Sequence, residues 1–483
     1  MNAEDAKVIA SPVRLPCGRT VQNRLAAMYE NLAQFGGGPP NEQHFGLYRL
    51  WGQGGWGIII TGNVQISRSH LSLGRDICVP ETIIPETVAP FQKLSRAIHG
   101  PEGGENSPLA LMQLSHCGRQ SPRFLGGRSF LTPPIGASNL QLSSPDGWLG
   151  KLVFSLIFAP AVAATDQEID NIVERFVMGA KLALESGFDG VQLHGAHGYL
   201  ISQFLSPKTN NRPPPYGPSS SLYFLRVLVT RIRAIVPPTF ILALKVNCGD
   251  YVQGGLTESE ALEQLRIIAG WQPGIDIIEI SGGDYERPDY ADKPLSPRQI
   301  FFSSYARKAL EALQDTPNAP RIMLTGSLQS QSLLATTIRS SHADLLGIGR
   351  PSIVHPSYAL SLLSPETPPS GLPHIPDAPT SLPIPIPVRL INAGVSTAWW
   401  NALIYRQAVI ANNNHDTDTD MSRGRGATTT TNAHLREFER IGPLRATVEL
   451  FLGPALVSRL LLWAVWIAMG VSALWMYWVV AIM

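Results

Sequence analysis

Apolar and polar positions along this chain follow two alternating patterns. Between about residues 20 and 360, short runs rich in Val, Ile and Leu are separated by longer stretches with apolar residues at helical spacing. The short runs cover 24–28, 57–64, 109–114, 190–193, 241–246, 276–281, 321–325 and 344–348, and each predicts a strand. The longer stretches, 42–53, 85–98, 166–186, 221–235, 258–269, 298–313 and 329–338, predict helices. Strand and helix in alternation imply parallel strands, and eight strands fit a closed (β/α)8 TIM barrel of the α/β class. A doubly wound open sheet is the structural alternative.

The intervening and flanking segments break this pattern. Residues 121–165 are long and irregular, with Pro133-Pro134 and several glycines, and are expected to form a loop or subdomain over one end of the barrel. The stretch 368–387 is proline-rich and is expected to wrap the surface. Trp399-Trp400, Leu403, Ile404 and Val409 predict a last helix docked on the barrel, which gives a domain of residues 10–410. Residues 411–432 are low in complexity and nearly free of apolar residues, and read as a flexible linker. Residues 433–459 form an amphipathic juxtamembrane stretch.

From Leu460 to Met483 there are 24 residues without a charge. As a helix these span about 36 Å, enough for a hydrocarbon core of about 30 Å. Trp463, Trp466, Trp475, Tyr477 and Trp478 add interfacial aromatics. The expectation is a single C-terminal transmembrane helix acting as a tail anchor, against the alternative of a buried core helix. Arg436, Arg440, Arg445 and Arg459 precede the span and no charge follows, so the barrel domain is expected in the cytosol, with the endoplasmic reticulum as the favoured membrane.

The charge balance, 38 basic against 37 acidic residues, leaves no footprint for nucleic acid. Cys17, Cys78, Cys117 and Cys248 are widely spaced and form no CxxC pair, which fits a reducing compartment better than a disulfide framework or a structural zinc. The first residues carry two acids and no apolar run of the kind a signal peptide needs.

Candidate chemistry gathers just after the strand-like runs, at Gln113, His194/His197/Tyr199, Lys245, Thr325-Gly326-Ser327 and Gly349-Arg350. In a barrel these strand ends meet at one face, where active sites form. Two imidazoles and a phenol within six residues offer two hydrogen-bond donors and a proton source. That set suits a reaction that builds charge on a carbonyl oxygen and then protonates a neighbouring carbon. Satisfied core histidines or a metal pair are the alternatives, although His-x-x-His without nearby carboxylates is a poor metal site and no metal is expected. Lys245 follows the apolar run ILAL and therefore needs a partner, which a salt bridge across the barrel would also supply.

Seven blocks resemble the old yellow enzyme family of FMN-dependent NAD(P)H:flavin oxidoreductases. They are LPCGRTVQNRLAAM (15–28), GGWGIIITGNVQI (54–66), MQLSHCGRQSP (112–122), HGAHGYLISQFLSPKTNNR (194–212), LKVNCGDYVQGG (244–255), IEISGGDYE (278–286) and LLGIGRPSIVHP (345–356). The resemblance covers about residues 10–410. It implies a barrel with FMN at its C-terminal face, NADPH or NADH as hydride donor, and an α,β-unsaturated carbonyl compound (enone type) as substrate. It further implies that His194 and His197 grip the substrate carbonyl and that Tyr199 protonates the α-carbon. Lys245 would face the flavin N1–C2 oxygen region and Gln113 its pyrimidine edge. Ala27, Met28, Thr61 and Gly62 would line the ring, and Gly326, Ser327, Gly349 and Arg350 would hold the phosphate. Three departures stand out: Tyr29 follows Met28 where the family has a small hydroxyl or thiol residue, Cys117 replaces a common Ala, and the 210–220 loop is altered. Rival readings are an FMN barrel run in the oxidative direction, as dehydrogenase or demethylase, and a non-catalytic membrane-anchored binding protein.

Overall fold

Eight parallel strands close on themselves: β1 (Leu25–Met28), β2 (Ile58–Gln65), β3 (Leu109–Ser115), β4 (Gly190–Gly195), β5 (Ile241–Asn247), β6 (Ile277–Ser281), β7 (Arg321–Thr325) and β8 (Leu345–Ile348). Neighbours in sequence are neighbours in space. Closure comes from β8 pairing with β1 (Leu346↔Leu25) and β1 with β2 (Ala26↔Ile58). All eight sequence-predicted strands are present, so the architecture is a closed barrel rather than an open sheet. The computed structural model describes residues 3–28, 31–100, 103–104, 107–283, 285–286, 295–326, 330–364, 374–381, 388–418 and 443–452.

The shell helices are α1 (Glu42–Gly52), α2 (Pro85–His99), α3 (Asp166–Glu185), α4 (Tyr223–Arg233), α5 (Glu258–Ala269), α6 (Leu295–Leu313) and α7 (Gln331–Arg339). Their starts are written locally. Thr165 and Glu168 form a reciprocal capping box on α3, and Thr257 with Glu260 does the same on α5. At the opposite end, acids just before the strands hold the preceding strand's amides. Asp276 accepts from Leu242 N at 2.8 Å and is paired with Arg233 at 2.6 Å, both side chains being buried.

Strand residues facing the lumen recur every second position. The lower layer is apolar: Ala26, Ile58, Ile60, Leu111, Ala243, Ile277, Met323 and Leu345 form one buried cluster. The antiparallel pair Val13–Arg14 and Thr20–Val21 closes this end, with Val13, Leu15 and Val21 in the same cluster. Two residues further along the same strands stand Gln113, Lys245, Glu279 and Thr325. The switch from apolar to polar therefore occurs within single strands.

The 121–165 segment is not wholly irregular. It contains a helix, Gly147–Ile157, and a short parallel pairing of Ile135–Gly136 with Val162–Ala163. The predicted last helix exists as α8 (Arg389–Asp418), with Trp399, Trp400, Leu403 and Ile404 buried. It extends past the expected linker start at 411, because Asn412 packs on α1 and donates to Glu42 O at 2.8 Å. Part of the expected juxtamembrane stretch is α9 (Pro443–Leu452), docked on α8 through Arg406–Glu449 (2.9 Å). Among the described residues no helix is long and apolar enough to cross a membrane. The predicted transmembrane segment 460–483 and residues 419–442 lie outside the described residues.

Candidate active site

β4 delivers the central cluster. His194 is its penultimate residue, and the chain then turns through His197 (φ +58°) and Gly198 (φ +73°) before Tyr199 starts the short helix Leu200–Leu205. A left-handed backbone at a non-glycine residue is uncommon. It is held here by Asn247 at the end of β5, whose Oδ1 accepts from His197 N at 3.0 Å. Asp250 in turn accepts from Asn247 at 3.2 Å.

The predicted trio comes together. His197 Nδ1 lies 3.3 Å from His194 Nε2, and His197 Nε2 lies 2.7 Å from Ser281 Oγ on β6. The His194 and Tyr199 rings are 4.7 Å apart. Burial, followed by the nearby His197 and Lys245, pushes the His194 imidazole well below the usual histidine range. His194 is therefore neutral at physiological pH and donates through one ring nitrogen. Burial, followed by Tyr285, holds the Tyr199 phenol well above its ordinary value. A phenol that keeps its proton is what a general acid requires.

Two partners were not singled out from the sequence. Tyr285 places its hydroxyl 3.1 Å from that of Tyr199. Gln120 ties the cluster together, since its side-chain amide donates to His197 O and its Oε1 accepts from Tyr285 N at 3.0 Å. Both lie in the matched blocks 112–122 and 278–286. Those blocks were the available signal, but partners 77 and 165 residues away leave no trace in local pattern. Glu286 secures the same corner by accepting from Ser143 N at 3.2 Å and pairing with Lys208 and with Arg119.

The residues expected around a flavin divide. Gln113, Thr61 and Gly62 are brought together: Gln113 N donates to Thr61 Oγ1 at 2.9 Å, and Gln113 Nε2 to Thr61 O at 3.1 Å. Tyr48 fixes Gly62 through its hydroxyl, 3.0 Å from Gly62 N. Lys245 pairs with Glu279, directly opposite on β6, at 3.0 Å, and Glu279 also accepts from Gln192 at 2.9 Å. Lys245 therefore has a salt-bridge partner on the neighbouring strand and not across the barrel. The Ala27 side chain packs in the outer core cluster, away from the lumen, so its backbone is what can face a ligand there. Gly326 follows β7 with φ +115°, and Gly349 leads from β8 into the short helix Arg350–Val354. Arg350 is exposed and lies 5.9 Å from the Trp400 ring. The Met28 side chain and Ser327 lie outside the described residues.

The polar atoms of the upper layer fit FMN. Gln113 Oε1, Gln192 Oε1 and Thr325 Oγ1 are buried and have no hydrogen-bond partner among the described residues. Such orphaned atoms are costly unless a ligand or water meets them. They cluster at the lumen's upper layer, with Lys245 between them.

Comparison with known proteins agrees. The family described as NADH:flavin oxidoreductase / NADH oxidase matches residues 18–364. The NADH-dependent flavin oxidoreductase iliE of Neonectria sp. (strain DH2) is 34% identical over 388 residues, covering 77% of this chain and 49% of that protein. The chain thus spans about half the length of that relative. The NADH-dependent flavin oxidoreductase iccE of Talaromyces variabilis is 30% identical over 417 residues, 81% of this chain and 96% of that protein. The old yellow enzyme homologue from Zymomonas mobilis superposes with a TM-score of 0.55 at 21% identity, covering 76% of this chain and 99% of that one, and establishes the fold. On the family match and these relatives, the chain belongs to the NADH:flavin oxidoreductase / NADH oxidase family, whose oxidoreductases work with FMN and a nicotinamide nucleotide.

Proposed function

We propose that this enzyme reduces the carbon–carbon double bond of an α,β-unsaturated carbonyl compound, with NADH as electron source. Bound FMN supplies the hydride that the nicotinamide delivers to it. His194 and His197 receive the substrate carbonyl oxygen and donate hydrogen bonds that strengthen as enolate charge develops there. Tyr199 gives its proton to the α-carbon, and the Tyr285 hydroxyl, 3.1 Å away, offers a route to replace it. Lys245, with Glu279, faces the upper lumen where the flavin ring edge is expected. NADH rather than NADPH is favoured because the fungal relatives carry the name NADH-dependent flavin oxidoreductase.

The observation that carries this reading is the Tyr199 ring, buried and 4.7 Å from that of His194, with its hydroxyl 3.1 Å from the hydroxyl of Tyr285. The test is anaerobic reduction of the purified yellow protein with each nicotinamide, followed by mixing with a panel of enones. Rapid reoxidation by an enone, with the saturated ketone as product, supports it. Reduced protein that no enone reoxidises, or protein that instead dehydrogenates a saturated substrate, overturns it.

We infer also that residues 460–483 cross a bilayer once, leaving the barrel in the cytosol. The support is the 24 uncharged residues and the arginines at 436, 440, 445 and 459 before them. Full-length protein should resist carbonate extraction, and protease added outside microsomes should release the barrel. Extraction by carbonate overturns the span, and protection of the barrel overturns the orientation.

A further inference from the structure

The helix Gly147–Ile157, between β3 and α3, has two unlike faces. Phe154, with Phe158 just beyond the helix, packs inward against Leu142, Tyr285 and Leu390. Tyr285 is the partner of Tyr199, so this face backs directly on the catalytic cluster. The outer face carries Trp148, Leu152 and Leu156, four residues apart and within one arc of the helix. They are 77%, 48% and 59% exposed. At the helix's C-terminal end, Arg123 N donates to Ile157 O at 2.8 Å. Next to it the Phe124 and Phe130 rings pair at 4.8 Å, and both are exposed, as is Leu131. Between residues 121 and 163 the acid is Asp146, and it is paired with Arg389; Arg123, Arg128 and Lys151 are basic.

A second observation concerns placement. Glu449 of α9 lines a small cavity with Asn31 and Leu32, which follow β1, and Arg75, which follows β2. So α9 sits at the end of the barrel where the strands open into the active site, the same end as the Gly147–Ile157 helix. Seven residues, 453–459, separate α9 from Leu460. Fully extended they reach about 25 Å. A span starting at Leu460 would hold this end of the barrel close to the bilayer instead of leaving it on a long leash.

We propose that the Trp148/Leu152/Leu156 face, with Phe124, Phe130 and Leu131, seats in the headgroup boundary of a lipid bilayer. The active-site end then faces the membrane and draws lipid-dissolved unsaturated carbonyl compounds from it. This rests on the reading of 460–483 as a membrane span. The chemistry matches an interfacial surface: a Trp and several large apolar side chains, basic residues around them, and the local acid neutralised. An exposed apolar cluster of this kind calls for a partner.

The test uses full-length, FMN-loaded protein with Cys17→Ser and one environment-sensitive fluorophore, placed at Leu152→Cys or at Asp315→Cys. Asp315 is exposed in the turn leading into β7, at the far end of the barrel. On phosphatidylcholine–phosphatidylserine vesicles the label at 152 should shift to the blue and resist dithionite, while that at 315 should bleach at once. A label at 152 as accessible as that at 315 overturns the proposal, even when the protein floats with the vesicles; flotation separately reports on the 460–483 span. Shielding of 152 without vesicles assigns the face to a second copy or another protein, and also overturns it. The triple variant Trp148→Glu/Leu152→Glu/Leu156→Glu supplies an activity readout. Its KM for a long-chain trans-enal dissolved in vesicles should rise at least about tenfold, while that for a water-soluble cyclohexenone stays within about twofold. Equal change for both substrates overturns the proposal.

Discussion

The two layers of the barrel lumen come from the same strands and differ by a step of two residues. In the lower layer Leu111, Ala243, Ile277 and Met323 fill the space with apolar volume and leave no polar atom to satisfy. In the upper layer Gln113, Lys245, Glu279 and Thr325 occupy the equivalent positions, with Gln113 Oε1 and Thr325 Oγ1 buried and unmet among the described residues. One layer is complete without a ligand and the other is not. The comparison shows that the strand's alternation decides which residues face inward, while side-chain chemistry decides whether a layer holds the fold or holds a ligand. Changes above should therefore act on turnover and changes below on stability.

The largest separation is expected at Tyr199. Tyr199→Phe removes the proton but keeps the ring that packs on His194 and Tyr285. Reoxidation by an enone should slow by about 10²–10⁴-fold, with reduction by NADH near normal, as stopped-flow absorbance of the two half-reactions would show. His194→Ala should slow the same half-reaction by about 10²–10³-fold and weaken phenolate binding. In the lower layer, Ile277→Ala should cost about 2–5 kcal/mol of stability through the cavity it leaves, read as a lower Tm, while the folded fraction turns over normally. A Tyr199→Phe enzyme with normal enone turnover, or an Ile277→Ala enzyme that is stable but inactive, would break the distinction between layers.

A subtler case is Glu279, which sits in the upper layer yet touches no expected substrate atom. Glu279→Gln leaves the Lys245 cation without its partner. The added net positive charge should favour reduced flavin, so the two-electron potential should rise, by about 30 mV for each 1.4 kcal/mol by which the reduced form is stabilised over the oxidised one. Spectroelectrochemical titration checks this. An unchanged potential would mean that Lys245 does not act on the flavin.

The barrel was legible because its strands are short, unbroken apolar runs with helices at regular spacing. Runs such as Ile241–Leu244 need no distant information to be recognised. His194, His197 and Tyr199 were legible because they lie within six residues on one turn. Tyr285 and Gln120 were not, since their meaning depends on a contact with Tyr199 and His197 made only after folding. The end of α8 departs from the sequence expectation for a related reason. The polar stretch from residue 411 resembles a linker in composition, but Asn412 seats over Gly46 of α1, where a Cβ would clash with its Oδ1. Tertiary contact there overrides local composition.

The smallest effect expected is on pH dependence, and it tests how dry the rim of the upper layer is. His116, directly after β3, is buried and stacked on His70 at 4.4 Å. Burial, followed by the Arg128 charge, pushes its imidazole down to about 3. His70 is lowered in the same direction, by burial and by His116. In the unfolded chain both titrate near 6.5. Between that value and about 3 the unfolded chain binds a proton at His116 that the folded chain refuses, so stability falls as pH drops through this window and is fully kept above it. Each such histidine contributes on the order of 1 kcal/mol per pH unit. His116→Asn keeps an acceptor for Gly118 N, which His116 Nδ1 holds at 3.1 Å, and removes one titrating group. Thermal unfolding between pH 7 and 4 should then show a shallower fall in Tm for the variant, by the equivalent of up to one proton. An unchanged slope would mean that His116 takes up its proton in the folded state, with water reaching the rim beside the catalytic cluster.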